Sequence, residues 1–360
     1  MIRLVFASLF VFITGAVFAQ DSDTWIAFDS IAKDLTYTGF KDSKGALKIP
    51  PLFTGRTIAR KFDNIIGTME FVDSRYTDPV YITKTGAVIK DSVYVVNYAF
   101  DCENEGYIRF KDPKTGNIGM FNGNAKVVVP AIYNELGRVY NGLMVGLKGA
   151  KKKIDNKYIF WEGGTKQLLD INNKVLIDSL KYDGHLNFYS LKITDKNENE
   201  NLRHYFKGVN GKYYSFTDFE ESLKWWVSTI LLKELTEEGL AANTSKMIKF
   251  EDNGKEWLTE DKNSFIKRNF EQVKHRLQEL TLNQKNYAVA TEMIVKHIFE
   301  PENFGGYYNN CEEIKYWQNP VMSISLQKNK TNANAPRFYF IYTELGFKLI
   351  GVSQKSNSLK

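Results

Sequence analysis

The segment KTGNIGMFNGNAKVVVPAIYNELG, residues 114–137, decides the fold of the N-terminal half, because its pattern recurs along the chain. A glycine or an Asn-Gly pair supplies the positive φ of a tight turn, and the aliphatic run after it favours extended backbone. Proline cannot donate to a β-ladder, so it ends the strand or lies at a sheet edge. The aromatic residue three positions later adds apolar area to bury. Each copy therefore predicts a β-hairpin with one apolar face.

Together with this segment, the chain contains four copies at nearly regular spacing. GALKIPPLF begins at Gly45, and GAVIKDSVY begins at Gly86, 41 positions later. NAKVVVPAIY (124–133) follows 39 positions on, and NKVLIDSLKY (173–182) follows 48 positions after that with a slip of one residue. Periods of this length indicate a modular array. Because a lone hairpin is only marginally stable, we expect the units to stack and cover one another's apolar faces.

This pattern resembles the WG-repeat proteins of bacteria, whose units read Gly-aromatic-Ile-Asp, a Gly-Lys turn, Val-Ile-Pro-Pro and then Gly-Leu-Ala-Val. The third copy carries IGMFN, NAKVVVPAIYNEL and YNGLMVGLKGAKKKI, and the first carries GFKDSKGALKIPPLF. The chain contains no Trp-Gly dipeptide, since Ile118-Gly119 stands in its place, and the second and fourth copies lack the proline. The resemblance covers about residues 36–185. It implies a β-rich array with a binding role in an exported protein, and no catalytic residues.

The first nineteen residues have the features of a signal peptide. Arg3 precedes the uncharged stretch LVFASLFVFITGAVFA, and Val17 and Ala19 fit the small-residue positions before a cleavage site. The apolar stretch is shorter than the ~20 residues that a bilayer span needs. We therefore predict an exported protein, either periplasmic or secreted to the cell surface, with no membrane span after cleavage.

Charge and cysteine content limit the partners further. The net charge of +6 is spread over the chain, and KGAKKK (148–153) is its only basic cluster. A nucleic-acid partner needs a concentrated basic face, so we expect none. Cys102 and Cys311 are too few for a disulfide framework. The sequence leaves open whether these two cysteines pair.

The second half changes to a helical period. Thr217 and Glu220 fit a capping box at the start of a helix in DFEESLKWWVSTILLKEL. A second helix is expected in NSFIKRNFEQVKHRLQEL, where apolar residues step by four and three from Ile266 to Leu280. The apolar stripe predicted for the first helix consists of Phe219, Leu223, Trp226 and Ile230.

Strands return at the end of the chain. VMSISLQ (321–327) predicts a strand, RFYFIYTELGFKLIGVS (337–353) predicts a hairpin, and YAVATEMIVKHIF (287–299) fits a strand or a helix. We therefore expect a mixed fold with two domains. Residues 20–216 would form an all-β array of stacked hairpins, solenoid- or propeller-like. Residues 217–360 would form an α+β domain with helices packed on an antiparallel sheet.

Motifs that carry common chemistries are missing from the sequence. It has no G-x-S-x-G elbow, no P-loop, no H-E-x-x-H helix and no paired C-x-x-C. The four histidines are far apart in sequence and show no metal-ligand spacing. They are His185, His204, His275 and His297. We therefore expect no metal, no cofactor and no catalytic residue that the sequence alone identifies.

The segment 304–317 is the candidate ligand-binding region. Its sequence FGGYYNN combines flexible backbone with aromatic faces, which is typical of surfaces that bind peptides or sugars. The alternative is a long connection whose aromatic residues cap the sheet. The candidate ligand-binding residues are Phe304, Tyr307, Tyr308 and Trp317.

Two hypotheses of function remain. In the first, a non-enzymatic binding protein of the bacterial cell envelope uses its β-repeat surface to hold a protein or glycan partner. In the alternative, the chain is a hydrolase of envelope polymers with its site in the C-terminal domain, near Cys311 or His297.

Overall fold

The described part of the chain is mainly β-structure. The computed structural model describes residues 23–54, 56–96, 98–155, 158–181, 184–252, 256–282, 287–292, 305–326 and 337–353. The predicted signal peptide, 1–19, lies outside these residues. Small antiparallel sheets form the N-terminal half, and one six-stranded sheet with helices forms the C-terminal half. None of the described helices is both long and apolar enough to cross a lipid bilayer.

Four three-stranded meanders, here called units 1 to 4, follow one another in the N-terminal half. In each unit the second strand pairs with the first and the third, and the third strand lies at a sheet edge. Unit 1 contains β1 (Trp25–Ala32), β2 (Leu35–Lys41) and β3 (Leu47–Phe53); unit 2 contains β5 (Ile65–Thr68), β8 (Val80–Thr83) and β9 (Val88–Lys90); unit 3 contains β12 (Tyr107–Lys111), β13 (Ile118–Asn122) and β14 (Val127–Tyr133); unit 4 contains β16 (Leu143–Lys148), β19 (Thr165–Asp170) and β20 (Val175–Ile177).

Short strands fill the connections between these units. Among them, the β17–β18 hairpin is an insertion in unit 4, and it explains why the last spacing is longer than the others. The short strands are β4 (Lys61–Phe62), β6 (Phe71–Val72), β7 (Arg75–Tyr76), β10 (Val95–Val96), β11 (Ala99–Phe100), β15 (Glu135–Leu136), β17 (Lys151–Asp155) and β18 (Tyr158–Glu162).

One turn geometry joins the second and third strands of all four units. In unit 1 the N–H of Asp42 donates to the Ala46 carbonyl, and the N–H of Gly45 donates to the Asp42 carbonyl, both at 3.0 Å. The Asp42 carboxylate also accepts the Ala46 N–H. This is a three-residue hairpin loop that needs a left-handed residue at its third position. The left-handed residues of units 1 to 4 are Gly45, Gly86, Ala125 and Asn173.

Strand register repeats together with the turn. The pairs Thr38–Phe53 and Phe40–Ile49 of unit 1 recur 80 positions later in unit 3, with the same irregularity between them. The equivalent of the Phe40–Ile49 pair in unit 4 is Leu168–Ile177. In unit 2 the register differs by one residue, since Tyr81 pairs with Ile89. The same turn therefore recurs in all four units, and most of the register recurs with it. The structure corrects two details, because Ala125 rather than a glycine or an Asn-Gly pair occupies the left-handed position of the third copy, and the fourth copy shows no slip.

The apolar clusters of the array join consecutive units. Tyr81 of unit 2 shares a buried cluster with Phe121 of unit 3. Met120 of unit 3 packs with Met144 of unit 4 in the next cluster. Each of these two clusters therefore buries apolar side chains of two consecutive units together. The sheets themselves stay small and separate, and no solenoid or propeller is detected in the described ranges.

A further three-stranded sheet ends the N-terminal half. It consists of β21 (Leu186–Thr194), β22 (Arg203–Lys207) and β23 (Tyr213–Asp218) in the order β21-β23-β22. Its turn at 208–212 has the same hydrogen bonds as those of the units, with Gly211 in the left-handed position. The predicted domain boundary after residue 216 falls inside β23.

The C-terminal sheet has the strand order β25-β24-β29-β28-β27-β26. The sequence predicted an antiparallel sheet, but β24 and β29 are parallel, so the sheet is mixed. The β24–β25 hairpin was not predicted from the sequence. The elements are α1 (Phe219–Trp226), α2 (Glu237–Ala242), β24 (Thr244–Asp252), β25 (Glu256–Asp261), α3 (Lys262–Leu282), β26 (Tyr287–Glu292), β27 (Val321–Leu326), β28 (Arg337–Thr343) and β29 (Gly346–Ser353).

Both predicted helices are present, with local corrections. Asp218 rather than Thr217 caps α1, because the Asp218 carboxylate accepts the Glu221 N–H at 2.8 Å. A π-helical turn follows α1 at Val227–Leu231. This wider turn moves the apolar stripe by one residue, so Leu231 is buried while Ile230 is 41% exposed.

The stripe of α3 is confirmed for the residues whose side chains are described. The side chain of Leu280 lies outside them. The buried residues of the stripe are Ile266, Phe270, Val273 and Leu277.

Replacing Gly45 with alanine should lower the free energy of unfolding by about 1 kcal/mol. The left-handed backbone at Gly45 (φ +84°) is unfavourable for a residue with a Cβ atom. No atom lies within 4 Å of that Cβ, so the cost is conformational and not steric. Gly184→Ala is the matched control, since its Cβ also meets open space and its φ is not left-handed. Equal urea midpoints for the two variants would contradict the assigned turn.

Candidate functional site

Residues 305–320, here called the strap, precede β27 and reach from the C-terminal sheet to the units. The strap begins with a 3₁₀ turn at Gly305–Tyr307. Its tip, 309–313, has the same turn as the units, because the Asn309 N–H donates to the Glu313 carbonyl and Glu312 has a φ of +56°. The Asn309 side chain accepts the Cys311 and Glu313 N–H groups. The tip is therefore a compact hairpin.

A disulfide links the strap to the N-terminal half. Cys311 of the strap is bonded to Cys102, which is buried next to β11. This settles the pairing that the sequence left open. Disulfides are typical of proteins in oxidising compartments outside the cytoplasm, so the bond is consistent with the predicted export. It also removes the Cys311 thiol from the hydrolase hypothesis, and His297 lies outside the described residues.

A buried charge network lies beside the disulfide. The Asp101 side chain is fully buried and accepts hydrogen bonds from Arg109 Nη2 at 2.6 Å and Arg138 Nε at 3.0 Å. Arg138 also pairs with Glu313 of the strap. Burial alone would raise the pKa of Asp101, but the two guanidinium groups outweigh it and lower that pKa to about 2. The network thus joins the strap to unit 3.

Asn310 holds the strap to the start of β4. Its carbonyl accepts the backbone N–H groups of Arg60 at 2.7 Å and Lys61 at 3.0 Å. Its side-chain amide donates to Asp63 Oδ2 at 2.6 Å. Together with the disulfide and the charge network, these bonds fix the position of the strap on the units.

Two adjoining cavities, here called the cleft, border the strap. Their volumes are about 530 and 690 Å³, which is the size range of small-ligand sites. They share Tyr189, Gly306, Lys315 and Gln318. Amide side chains are the most frequent group in the lining: Asn64, Asn104, Asn309 and Asn310 in the smaller cavity, Asn187 and Asn319 in the larger one, and Gln318 in both.

Three carboxylates of the smaller cavity are bonded within the fold. Glu103 accepts the backbone N–H groups of Asn64 and Ile65, both at 3.0 Å, although burial raises its pKa. Glu105 accepts the Tyr189 hydroxyl at 2.5 Å, and also two backbone N–H groups. Burial and the Glu105 carboxylate raise the pKa of Tyr189. Asp63 accepts Thr24 Oγ1 at 2.7 Å in addition to Asn310.

The predicted ligand-binding residues lie in different surroundings. Tyr307 lines the larger cavity, and Tyr308 lines the smaller one although only 5% of its surface is exposed. Trp317 stacks on Phe188, with ring centroids 5.0 Å apart, so its ring packs in the cluster of unit 4. Phe304 lies outside the described residues. Ligand binding by these residues stays a prediction.

Sequence reasoning missed the residues that the N-terminal half gives to the cleft. They come from segments near positions 61–64, 103–106 and 187–190, which are far apart in the chain and form no local motif. The three described histidines do not meet there, and each lies beside a carboxylate of its own. The pairs are His185–Glu220, His204–Asp218 and His275–Glu279. Within the described ranges, no cluster of metal-ligating side chains was found.

Comparison with known proteins gives no family. No protein-family model, no curated protein and no solved structure matches the chain.

Proposed function

We propose that the protein is a non-enzymatic binding protein of the bacterial cell envelope, and that its cleft binds a glycan. The composition of the cleft lining is the observation that carries this proposal. Amide side chains are the most frequent group, and Tyr140, Tyr189, Tyr307 and Tyr308 also line the cleft. Sugars present many hydroxyl groups together with apolar ring faces, so they need this combination of donors, acceptors and aromatic surfaces.

Two amides of the lining, Asn310 and Asn319, have spare hydrogen-bonding capacity. A side-chain amide offers two donor hydrogens and two acceptor lone pairs. Asn310 uses one donor on Asp63, and Asn319 uses one donor on the Tyr342 carbonyl. Their remaining positions are suited to sugar hydroxyls. The internally bonded carboxylates hold the surrounding loops in place, which lowers the cost of ordering the site on binding.

The units supply the framework for this site. The resemblance to WG-repeat proteins supports a binding role, and we propose that the four units are degenerate repeats of that type. The shared clusters support one continuous stacked array. The strap closes that array against the C-terminal sheet and so creates a cleft that neither half contains alone.

A protein partner on the repeat surface is the second candidate function. The observation that favours it is the exposure of Leu47, Val88 and Val127, at equivalent positions of three consecutive units. Changing all three to serine should abolish recovery of a stoichiometric partner from envelope extract. If the triple variant recovers the same partner as the parent chain, this surface does not bind it.

The glycan proposal predicts that cleft substitutions weaken saccharide binding at least tenfold. The variants are Tyr189→Ala, which removes a ring shared by both cavities, and Gln318→Ala, which removes a shared amide. Calorimetric titration with a panel of neutral and acidic oligosaccharides measures the change. Tyr98→Ala is the control, because this tyrosine is 85% exposed and lies outside the cleft lining. Absence of binding to every saccharide in the panel would refute the proposal.

A further inference from the structure

The charges in the smaller cavity are unequally compensated. Its three carboxylates, Asp63, Glu103 and Glu105, each accept at least two hydrogen bonds from the fold. Asp63 and Glu103 also act electrostatically on the nearby Lys84. These anions are therefore already stabilised without a ligand.

The two lysines of the same cavity have no such compensation. Lys315 Nζ donates to the neutral Gly306 carbonyl at 3.0 Å, and among the described residues no carboxylate forms an ion pair with Lys315 or Lys61. Burial, and then the charge of Lys61, lower the pKa of Lys315. Because the Lys61 N–H is bonded to Asn310 of the strap, the fold keeps both lysines at one cavity. Lys315 is half-buried and Lys61 is exposed, and two cations that line one cavity without an ion pair favour an anion between them.

We propose that the glycan is an acidic one, and that a sugar carboxylate lies between Lys61 and Lys315. This inference rests on the proposed glycan-binding function. A singly charged carboxylate fits better than a phosphate, which carries −1.5 to −2 charges at neutral pH. The three neighbouring carboxylates would repel the larger charge more strongly.

The geometry also gives the ligand a direction. Lys61 lines only the smaller cavity, whereas Lys315, Tyr189 and Gln318 line both cavities. The acidic sugar therefore occupies the smaller cavity. The next sugars of the bound oligosaccharide pass Tyr189 and enter the larger cavity. The combined volume suits a short oligosaccharide rather than a single sugar.

The test compares a galacturonic acid tetramer with the matching galactose tetramer, which differs only by the carboxylates. The full mature chain should bind the acidic tetramer at least tenfold more tightly, and the preference should fall as salt is raised because exposed charges are screened. Lys315→Met and Lys61→Met should each reduce the preference about fivefold or more. Titration of the same variants with the galactose tetramer measures any loss of affinity that does not depend on the carboxylates. Lys315→Arg should retain the preference.

Lys348→Met is the matched control. Lys348 is also partly buried and its pKa is also lowered, but it lines only the larger cavity. Equal binding of both tetramers by the parent chain would overturn this inference and leave the proposed function standing. Absence of binding to either tetramer and to the rest of the panel would refute the proposed function itself. Loss of the preference in Lys348→Met alone would place the carboxylate in the other cavity and also overturn the inference.

Discussion

Removal of the Cys102–Cys311 disulfide is expected to lower the free energy of unfolding by about 4–5 kcal/mol. The two cysteines are 209 positions apart, so the bond closes a very long loop. The entropy that a cross-link removes from the unfolded chain grows with the logarithm of loop length. The resulting stabilisation is about 5 kcal/mol for loops of more than 100 residues. The double variant Cys102→Ala/Cys311→Ala, compared with the oxidised parent chain by urea unfolding, measures this loss.

The same variant should loosen the strap before it loosens the units. The N–H groups of Arg60 and Lys61 donate to Asn310 of the strap, so their hydrogen exchange should become faster. The Asn173 N–H, which is bonded within the turn of unit 4, is the internal control and should exchange at its former rate. A stability loss below about 1 kcal/mol, with unchanged exchange at Arg60 and Lys61, would mean that the non-covalent contacts hold the strap without the disulfide.

The repeated units could be predicted because their signals are local. A left-handed residue, an aliphatic run and an aromatic residue lie within ten positions, and each acts on the backbone close to it. The structure gives the same turn and nearly the same register in every copy, even where Ala125 or Asn173 replaces glycine. Predictions for single positions were wrong where the local geometry changed. Ile230 was expected in the buried stripe, but a π-helical turn displaced that stripe by one residue.

The strap and the cleft could not be predicted, since they depend on contacts between distant segments. Glu313 meets Arg138 across 175 positions, and Asn310 meets Asp63 across 247. In the local sequence, Glu313 and Asn310 do not differ from other polar residues of a loop. The sequence reasoning singled out 304–317 by its aromatic and glycine residues, and the described part of that segment, 305–317, lies in the strap. It could not show that Tyr308 and Trp317 would be packed against the two halves while amides and lysines line the cavities.

Replacing Asp101 with asparagine is expected to cost about 3–5 kcal/mol of unfolding free energy. Asparagine has nearly the same shape, so the substitution removes the charge and leaves Arg109 and Arg138 buried without their shared counter-ion. The control is Asp29→Asn. Asp29 pairs with Arg60 at 2.9 Å, but both side chains are about one-third exposed or more, and such a pair contributes under about 1 kcal/mol. Similar losses in the two variants would contradict a special role for the buried network.

The pH dependence separates the charge of Asp101 from its packing. The folded-state pKa is lowered from 3.8 to about 2. The ionised carboxylate therefore stabilises the fold above the unfolded-state pKa, and this stabilisation is lost as the pH falls through about 2. The asparagine variant has no such loss. The stability gap between the parent chain and Asp101→Asn should therefore narrow by about 2 kcal/mol between about pH 5 and pH 2, as measured by urea unfolding across that range. A gap that stays constant with pH would assign the cost to altered packing and not to the ion pairs of Asp101.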